Sequence, residues 1–75
     1  MYKVYFKNVG RNDKSWDAKC ENLDYDWFYS QVRNNAKVMS SDLEFALRED
    51  SKMGDIYAGF YKIGEFEIVF QGGLK

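Results

Sequence analysis

Aromatic residues are the feature that most constrains how this chain can fold. Two tryptophans, six tyrosines and six phenylalanines occur among 75 residues, together with one cysteine, no histidine and no proline. A chain this short buries only about 60% of its unfolded surface, and Cys20 alone cannot form a disulfide within the chain. Large rings supply the missing burial, at roughly 150–250 Å² each. We therefore expect one small domain over residues 1–75, with residues 72–75 as a frayed tail.

Alternation of apolar and polar side chains predicts two strands at the start of the chain. They cover Tyr2–Val9 and Ser15–Glu21, because side chains two residues apart share one face of a strand. Residues 10–13 carry turn-forming side chains, so the two strands are expected to form a hairpin. The inward faces would hold Tyr2, Val4, Phe6, Trp16, Ala18 and Cys20.

A helix is expected to follow Asp24, whose carboxylate can accept hydrogen bonds from the backbone of the first helical turn. At about 100° per residue, one stripe of large side chains should face the sheet. Trp27 lies about 160° from the centre of that stripe, so we expect its indole on the outer helix surface. The stripe consists of Tyr25, Phe28, Tyr29, Val32 and Ala36.

The second half of the chain predicts three more strands. Leu43, Phe45 and Leu47 alternate with polar residues, and the last two strands are expected at 56–61 and 65–71. A bulged turn at 62–64 would pair Phe60 with Phe66 and make one face wholly apolar. The predicted core comprises Trp16, Phe28, Val32, Phe45, Phe60, Phe66, Ile68 and Phe70.

The predicted fold class is therefore α+β, with two layers, in which one helix packs on a mostly antiparallel five-stranded sheet in the order ββαβββ. This order resembles the β-grasp, or ubiquitin-like, arrangement of a hairpin, a helix and further strands. The resemblance implies a carrier whose terminal glycine pair is activated. Gly72 and Gly73 could fill that role only after removal of Leu74 and Lys75.

Catalysis is not expected from this composition. General acid–base work needs carboxyl groups that converge with separated pKa values, whereas neighbouring pairs such as Glu65 and Glu67 belong to a solvated strand face. Cys20 points inward and has no histidine to activate it. We therefore predict no enzyme activity, no cofactor and no bound metal.

Single-stranded nucleic acid is the alternative ligand class. Lys3, Tyr5 and Lys7 share one strand face, and such faces can stack bases on aromatic rings and bind phosphates. However, Glu65 and Glu67 are expected on the same sheet face, where they would repel phosphates and pair with the lysines. The net charge of −1 gives no basic excess either.

Protein binding is the favoured function, either to another protein or to a second copy in a homodimer. The contact residues predicted on the outer sheet face are Tyr5, Tyr57, Tyr61 and Val69, with Trp27 as a second anchor on the helix. Aromatic residues are enriched at such interfaces, although tyrosines beside Gly59 could equally cover the glycine within the domain. No apolar run is long enough for a membrane span or signal peptide, and a single thiol suits the reducing cytoplasm.

Overall fold

The computed structural model describes residues 1–38, 42–48 and 52–70 and has the predicted α+β architecture. Five strands and one helix follow the order ββαβββ, and the helix packs against one face of the sheet. The elements are β1 (Tyr2–Val9), β2 (Lys14–Cys20), α1 (Tyr25–Ala36), β3 (Leu43–Leu47), β4 (Met53–Ala58) and β5 (Tyr61–Phe70).

The sheet has the strand order β2-β1-β5-β4-β3, and all four of its ladders are antiparallel. The first and last strands are neighbours: Val4 of β1 lies opposite Ile68 of β5, and Phe6 opposite Phe66. β2 and β3 form the two edges, and α1 is the element that connects them in the chain.

The helix begins where the sequence predicts it. Asp24 Oδ1 accepts a hydrogen bond of 2.9 Å from the backbone N–H of Trp27, which satisfies one of the free donors of the first turn. The helix ends at Ala36, and the next residue, Lys37, has a φ of 57° in the left-handed region. Phe28 and Val32 are its buried residues and face the sheet.

The core is a cluster of rings and branched side chains between α1 and the sheet. Of the predicted core residues, Phe28, Val32 and Phe66 are buried. Phe66 lies 5.1 Å from Phe28 between ring centroids. Three further predicted residues, namely Trp16, Phe45 and Ile68, are partly buried against this cluster.

Two predicted core residues are on the surface, and one of them, Phe60, is there because the predicted register of the last hairpin is wrong. Phe60 is fully exposed and Phe70 is 58% exposed. The turn is the two-residue pair Gly59–Phe60, flanked by the partners Ala58 and Tyr61. Gly59 has a φ of 65° and occupies the first central position, which favours glycine in the short hairpin turns that match strand twist.

The other glycine of this hairpin, Gly64, has a different structural role. It lies within β5 opposite Ile56 rather than in a turn. A Cβ atom at this position would lie 2.8 Å from Val9 Cγ2 and 3.0 Å from Val9 Cα. Gly64 therefore allows β1 to approach, and an irregularity between Ile56 and Tyr57 absorbs the extra residue in β5.

Candidate functional site

The outer face of the sheet carries a compact ion-pair network. Arg48 contacts Asp55 at 2.6 Å and Glu65 at 3.1 Å, and Lys62 contacts the same two carboxylates at 3.0 and 2.8 Å. Hydrogen bonds from Arg48 and then Lys62 lower the pKa of Asp55 to about 2. The pKa of Glu65 is also lowered, chiefly by its hydrogen bond from Lys62.

This network predicts a pH dependence of folding stability. The pKa of Asp55 is lower in the folded protein than its ordinary value of 3.8, so its stabilising effect is complete above that value and is lost as the pH falls towards 2. We expect Asp55→Asn to lower the melting temperature by much less at pH 2 than at pH 7. Thermal denaturation of both proteins from pH 7 to pH 2 measures this. A constant difference across that range would contradict the assignment.

The two lysines proposed as phosphate contacts are ion-paired, as the sequence predicts. Lys7 Nζ lies 3.2 Å from Glu67 Oε1, and Lys3 Nζ lies 3.8 Å from Asp17 Oδ1. The partner of Lys3 is on β2 rather than on β5 as predicted, because the residue opposite Lys3 in β5 is Val69 and not a glutamate. Lys3 Nζ is also 5.2 Å from the centroid of the Tyr5 ring.

The structure does not bring the predicted sheet-face residues together. Tyr5 lies opposite Glu67, and Val69 lies opposite Lys3, at one end of the outer face. Tyr57 lies about 13 Å further along the strands, as four residues of rise imply. The row that holds Asp55 and Glu65 separates Tyr57 from Tyr5.

The fourth predicted residue of that patch, Tyr61, faces the other side of the sheet. It pairs directly with Ala58, which packs against the core on the helix side, and directly paired residues share a face. Tyr61 is 77% exposed because it lies next to the turn at the hairpin tip.

The predicted outward orientation of Trp27 is also wrong. Its ring is partly buried against the core, 5.1 Å from the Phe28 centroid and 6.0 Å from that of Phe6. The buried helix positions are Phe28 and Val32, whereas Tyr25 is half exposed. The centre of the buried arc therefore moves to about 120° from Trp27, and a long indole spans that angle.

The structure also shows an apolar groove on the helix side of the sheet, which the sequence did not predict. It lies between the start of α1 and β3, and its volume is about 300 Å³. Phe28 and Phe66 are its most buried lining residues. We call it the helix-side groove; its other apolar lining residues are Leu23, Tyr25, Phe45, Leu47 and Ile68.

Several large apolar side chains in and beside the helix-side groove are exposed to solvent. Leu47 is 57% exposed and Tyr25 is 49% exposed. Phe70 follows Phe66 and Ile68 on the same face of β5, and its ring meets Tyr2 edge to face at 5.3 Å. This end of the sheet is therefore an apolar face that α1 leaves open.

The difference in length between the helix and the longest strand could have predicted this exposed apolar face. α1 has 12 residues and β5 has ten, so the helix is about 18 Å long while the strand is about 33 Å long. A single helix of that length cannot cover the sheet, and the apolar residues of the uncovered end must be exposed.

A second, larger concavity lies at the opposite end of the domain. Its volume is about 910 Å³, and it is open between the β1–β2 turn, the end of α1 and the last hairpin. Arg11, Asp13 and Lys37 at its rim are exposed, while Val38 and Ile63 form part of an apolar floor. Its charged groups carry both signs and are hydrated, so its lining favours no particular ligand charge.

Within the part of the chain that the structure describes, the one buried group with reactive chemistry is a thiol. Cys20 is buried as predicted, and burial raises the pKa of that thiol, with a smaller contribution from the charge of Asp24. Among residues 1–38, 42–48 and 52–70, no charged or polar side chain is buried. The same residues contain no grouping of three His, Cys, Asp or Glu side chains that could hold a metal ion.

No protein-family model matches this chain, and no curated protein or solved structure is similar enough to count as a relative. None of the helices in the described part of the chain is long and apolar enough to cross a membrane. The molecule is thus a small, aromatic-rich α+β domain with an open apolar groove at one end.

Proposed function

We propose that this chain is a non-catalytic protein-binding module of the cytoplasm, which regulates or inhibits a partner by occupying its surface. Its contact surface is the helix-side groove together with the adjacent edge strand β3. The observation that carries the proposal is the exposure of Leu47 and Tyr25 around a groove whose floor reaches Phe28 and Phe66.

The physical argument rests on the cost of hydrated apolar surface. Burying apolar area stabilises a complex by roughly 25 cal/mol per Å² before the entropy of association is subtracted. Leu47 and Tyr25 offer such area around one groove, and contiguous exposed apolar patches mark interaction sites. An apolar side chain of a partner would fit the groove and meet aromatic walls.

The outer sheet face supports binding less well. There Tyr5 and Tyr57 are separated by the ion pairs of Asp55 and Glu65, and a partner would have to desolvate these charges. The role of Tyr5, Tyr57, Tyr61, Val69 and Trp27 in binding stays a prediction.

The two alternatives gain less support from the geometry. A nucleic-acid ligand would have to displace Glu67 from Lys7 and Asp17 from Lys3 before either lysine could bind a phosphate. The carrier hypothesis depends on residues 72–73, which lie outside the described residues.

Affinity capture with matched variants tests the proposed surface. We expect Leu47→Asp to abolish capture of partner protein from an extract of the native host, because it places a charge in the groove that the complex would bury. Tyr57→Ala on the outer face should keep wild-type capture. Leu47 is largely exposed, so both variants should fold, and circular dichroism checks that they do.

The reverse result for the two variants would contradict the groove as the contact surface. If folded Leu47→Asp captures the same proteins as wild type while Tyr57→Ala loses them, the outer sheet face is the contact surface. If both variants and wild type capture nothing above an unrelated control protein, the protein-binding proposal itself fails.

A further inference from the structure

β3 borders the helix-side groove and is an edge strand of the sheet. Its five residues, Leu43–Leu47, carry one charged side chain, Glu44. The other edge, β2, carries three, namely Lys14, Asp17 and Lys19. Charges discourage pairing at an edge, whereas an apolar edge is a template for another strand.

The hydrogen bonds that flank β3 show which of its backbone groups point away from the sheet. The Gly59 N–H donates to the Asp42 carbonyl at 2.9 Å, and the Arg48 N–H donates to the Met53 carbonyl at 2.8 Å. In an antiparallel ladder the residues that bond to one neighbour alternate. The even-numbered residues of β3 therefore bond to β4, and the backbone groups of Leu43, Phe45 and Leu47 point outward.

One of these outward groups is already occupied. The hydroxyl of Tyr25 donates a hydrogen bond of 2.7 Å to the Leu43 carbonyl. Tyr25 thereby occupies the outward carbonyl at the start of β3. The N–H and C=O groups of Phe45 and Leu47 remain as the four outward groups between this carbonyl and the end of β3.

We infer that the protein bound at this surface is a second copy of the chain, paired through β3 in an antiparallel arrangement with Ala46 of both copies on the two-fold axis. This inference rests on the proposed function and specifies its partner. Phe45 of each copy then faces Leu47 of the other, and the N–H and C=O groups of Phe45 bond to the C=O and N–H groups of that Leu47.

Charge complementarity selects this register. With Ala46 on the axis, Glu44 of each copy lies opposite Arg48 of the other, on the outer face of the joined sheet. On that face Arg48 also contacts Asp55 and Glu65 of its own copy. Placing Glu44 on the axis would set two carboxylates against each other. Placing Phe45 there would direct the Leu47 N–H at the Leu43 carbonyl, which Tyr25 already occupies.

The arrangement is also sterically compatible with the shape of the domain. Phe45 and Leu47 lie on the helix side, so Phe45 of one copy packs beside Leu47 of the other and covers part of that exposed side chain at the rim of the groove. Leu43 of one copy falls six residues along the strand from Leu43 of the other, or about 20 Å. The two Tyr25 rings that cap these residues are therefore clear of each other.

Sedimentation velocity over a range of protein concentrations tests the inference. Wild type is expected to shift from monomer to dimer as concentration rises. Leu47→Pro removes an outward N–H in each copy without touching the ladder to β4, and should raise the dissociation constant about tenfold or more. Leu47→Ala is the matched control: it loses the side chain but keeps the N–H, and should have the smaller effect.

Charge variants on the axis test the register itself. Ala46 is exposed, and Ala46→Lys or Ala46→Glu alone places two like charges directly opposite each other. Each should weaken self-association about fivefold, whereas an equimolar mixture of the two should form a mixed dimer. Native mass spectrometry separates the mixed dimer from the two homodimers by mass.

Three results would overturn the inference. The first is a wild type that stays monomeric at every concentration tested. The second is a dimer that is as stable with Leu47→Pro as without it. The third is a mixture of the Ala46 variants that is no more dimeric than either alone. If wild type is monomeric but captures a different protein in a Leu47-dependent way, self-pairing fails and the proposed function stands.

Discussion

Truncating Phe66 to alanine is expected to lower the free energy of unfolding by about 3–5 kcal/mol. The Phe66 ring is 2% exposed and packs 5.1 Å from Phe28 and 6.4 Å from Phe45. The truncation removes this contact from the centre of the core and leaves a cavity. A domain of this length has only about 4–11 kcal/mol of total stability, so the variant should be largely unfolded at 37 °C.

Phe60→Ala is the matched control, because the sequence predicts the two rings as cross-strand partners and the structure separates them. Phe60 is fully exposed at the hairpin turn, so its truncation should change stability by about 0.5 kcal/mol or less. Urea denaturation of the three proteins measures both effects. Equal losses for the two variants would show that Phe60 packs against Phe66 and that the hairpin register of the structure is wrong.

Replacing Gly54 by alanine is expected to cost about 3 kcal/mol or more, the upper end of the range for overpacked cores. Gly54 is in β4 and lies opposite Phe66 of β5. A Cβ atom at position 54 would overlap the Phe66 ring. It would also lie 2.7 Å from the backbone oxygen of Ala46. The strand cannot move away from that oxygen without breaking the ladder to β3.

Gly59→Ala separates this steric effect from backbone strain. Gly59 has a φ of 65°, but the nearest atom to a Cβ there is Asp42 Oδ2 at 3.8 Å. The cost should be about 1–2 kcal/mol, from the left-handed conformation alone. Thermal denaturation ranks the two variants. If Gly54→Ala proves the milder of the two, close packing of Phe66 over β4 is not the reason for a glycine at position 54.

Local patterns were sufficient to predict the elements of this fold. Strand alternation placed β1 over Tyr2–Val9, and the carboxylate of Asp24 marked the start of the helix. These signals depend on residues close in sequence, so they can be interpreted without knowledge of the partner elements. Burial of Phe28 and Val32 follows from the same helical periodicity.

The predicted register of the last hairpin is wrong because either Gly59 or Gly64 could provide the glycine that a short turn needs. Apolar matching of Phe60 with Phe66 favoured a turn at Gly64, and it ignored the constraint that β5 must also pair with β1. In the structure Gly64 is needed where Val9 approaches, and Gly59 is the residue with positive φ. Close approach of a sequence-distant strand leaves no local signal.

The predicted grouping of the contact residues differs from the structure for a related reason. The sequence assigned Tyr5, Tyr57 and Tyr61 to one patch, but that assignment depended on the hairpin register. Correcting the register moves Tyr61 to the helix side and places ion pairs between the other two. The helix-side groove depends on how much of the sheet one short helix covers, which is a property of the assembled layers.

Site-specific photo-crosslinking tests the central claim most directly. A benzophenone amino acid is introduced in place of Leu47 in the groove or Tyr57 on the outer face, and each protein is irradiated in cells of the native host. Both positions lie on strands and are accessible to solvent. We predict covalent protein adducts from position 47 and none from position 57. Adducts from position 57 alone, or from neither position, would contradict a protein-binding function centred on the helix-side groove.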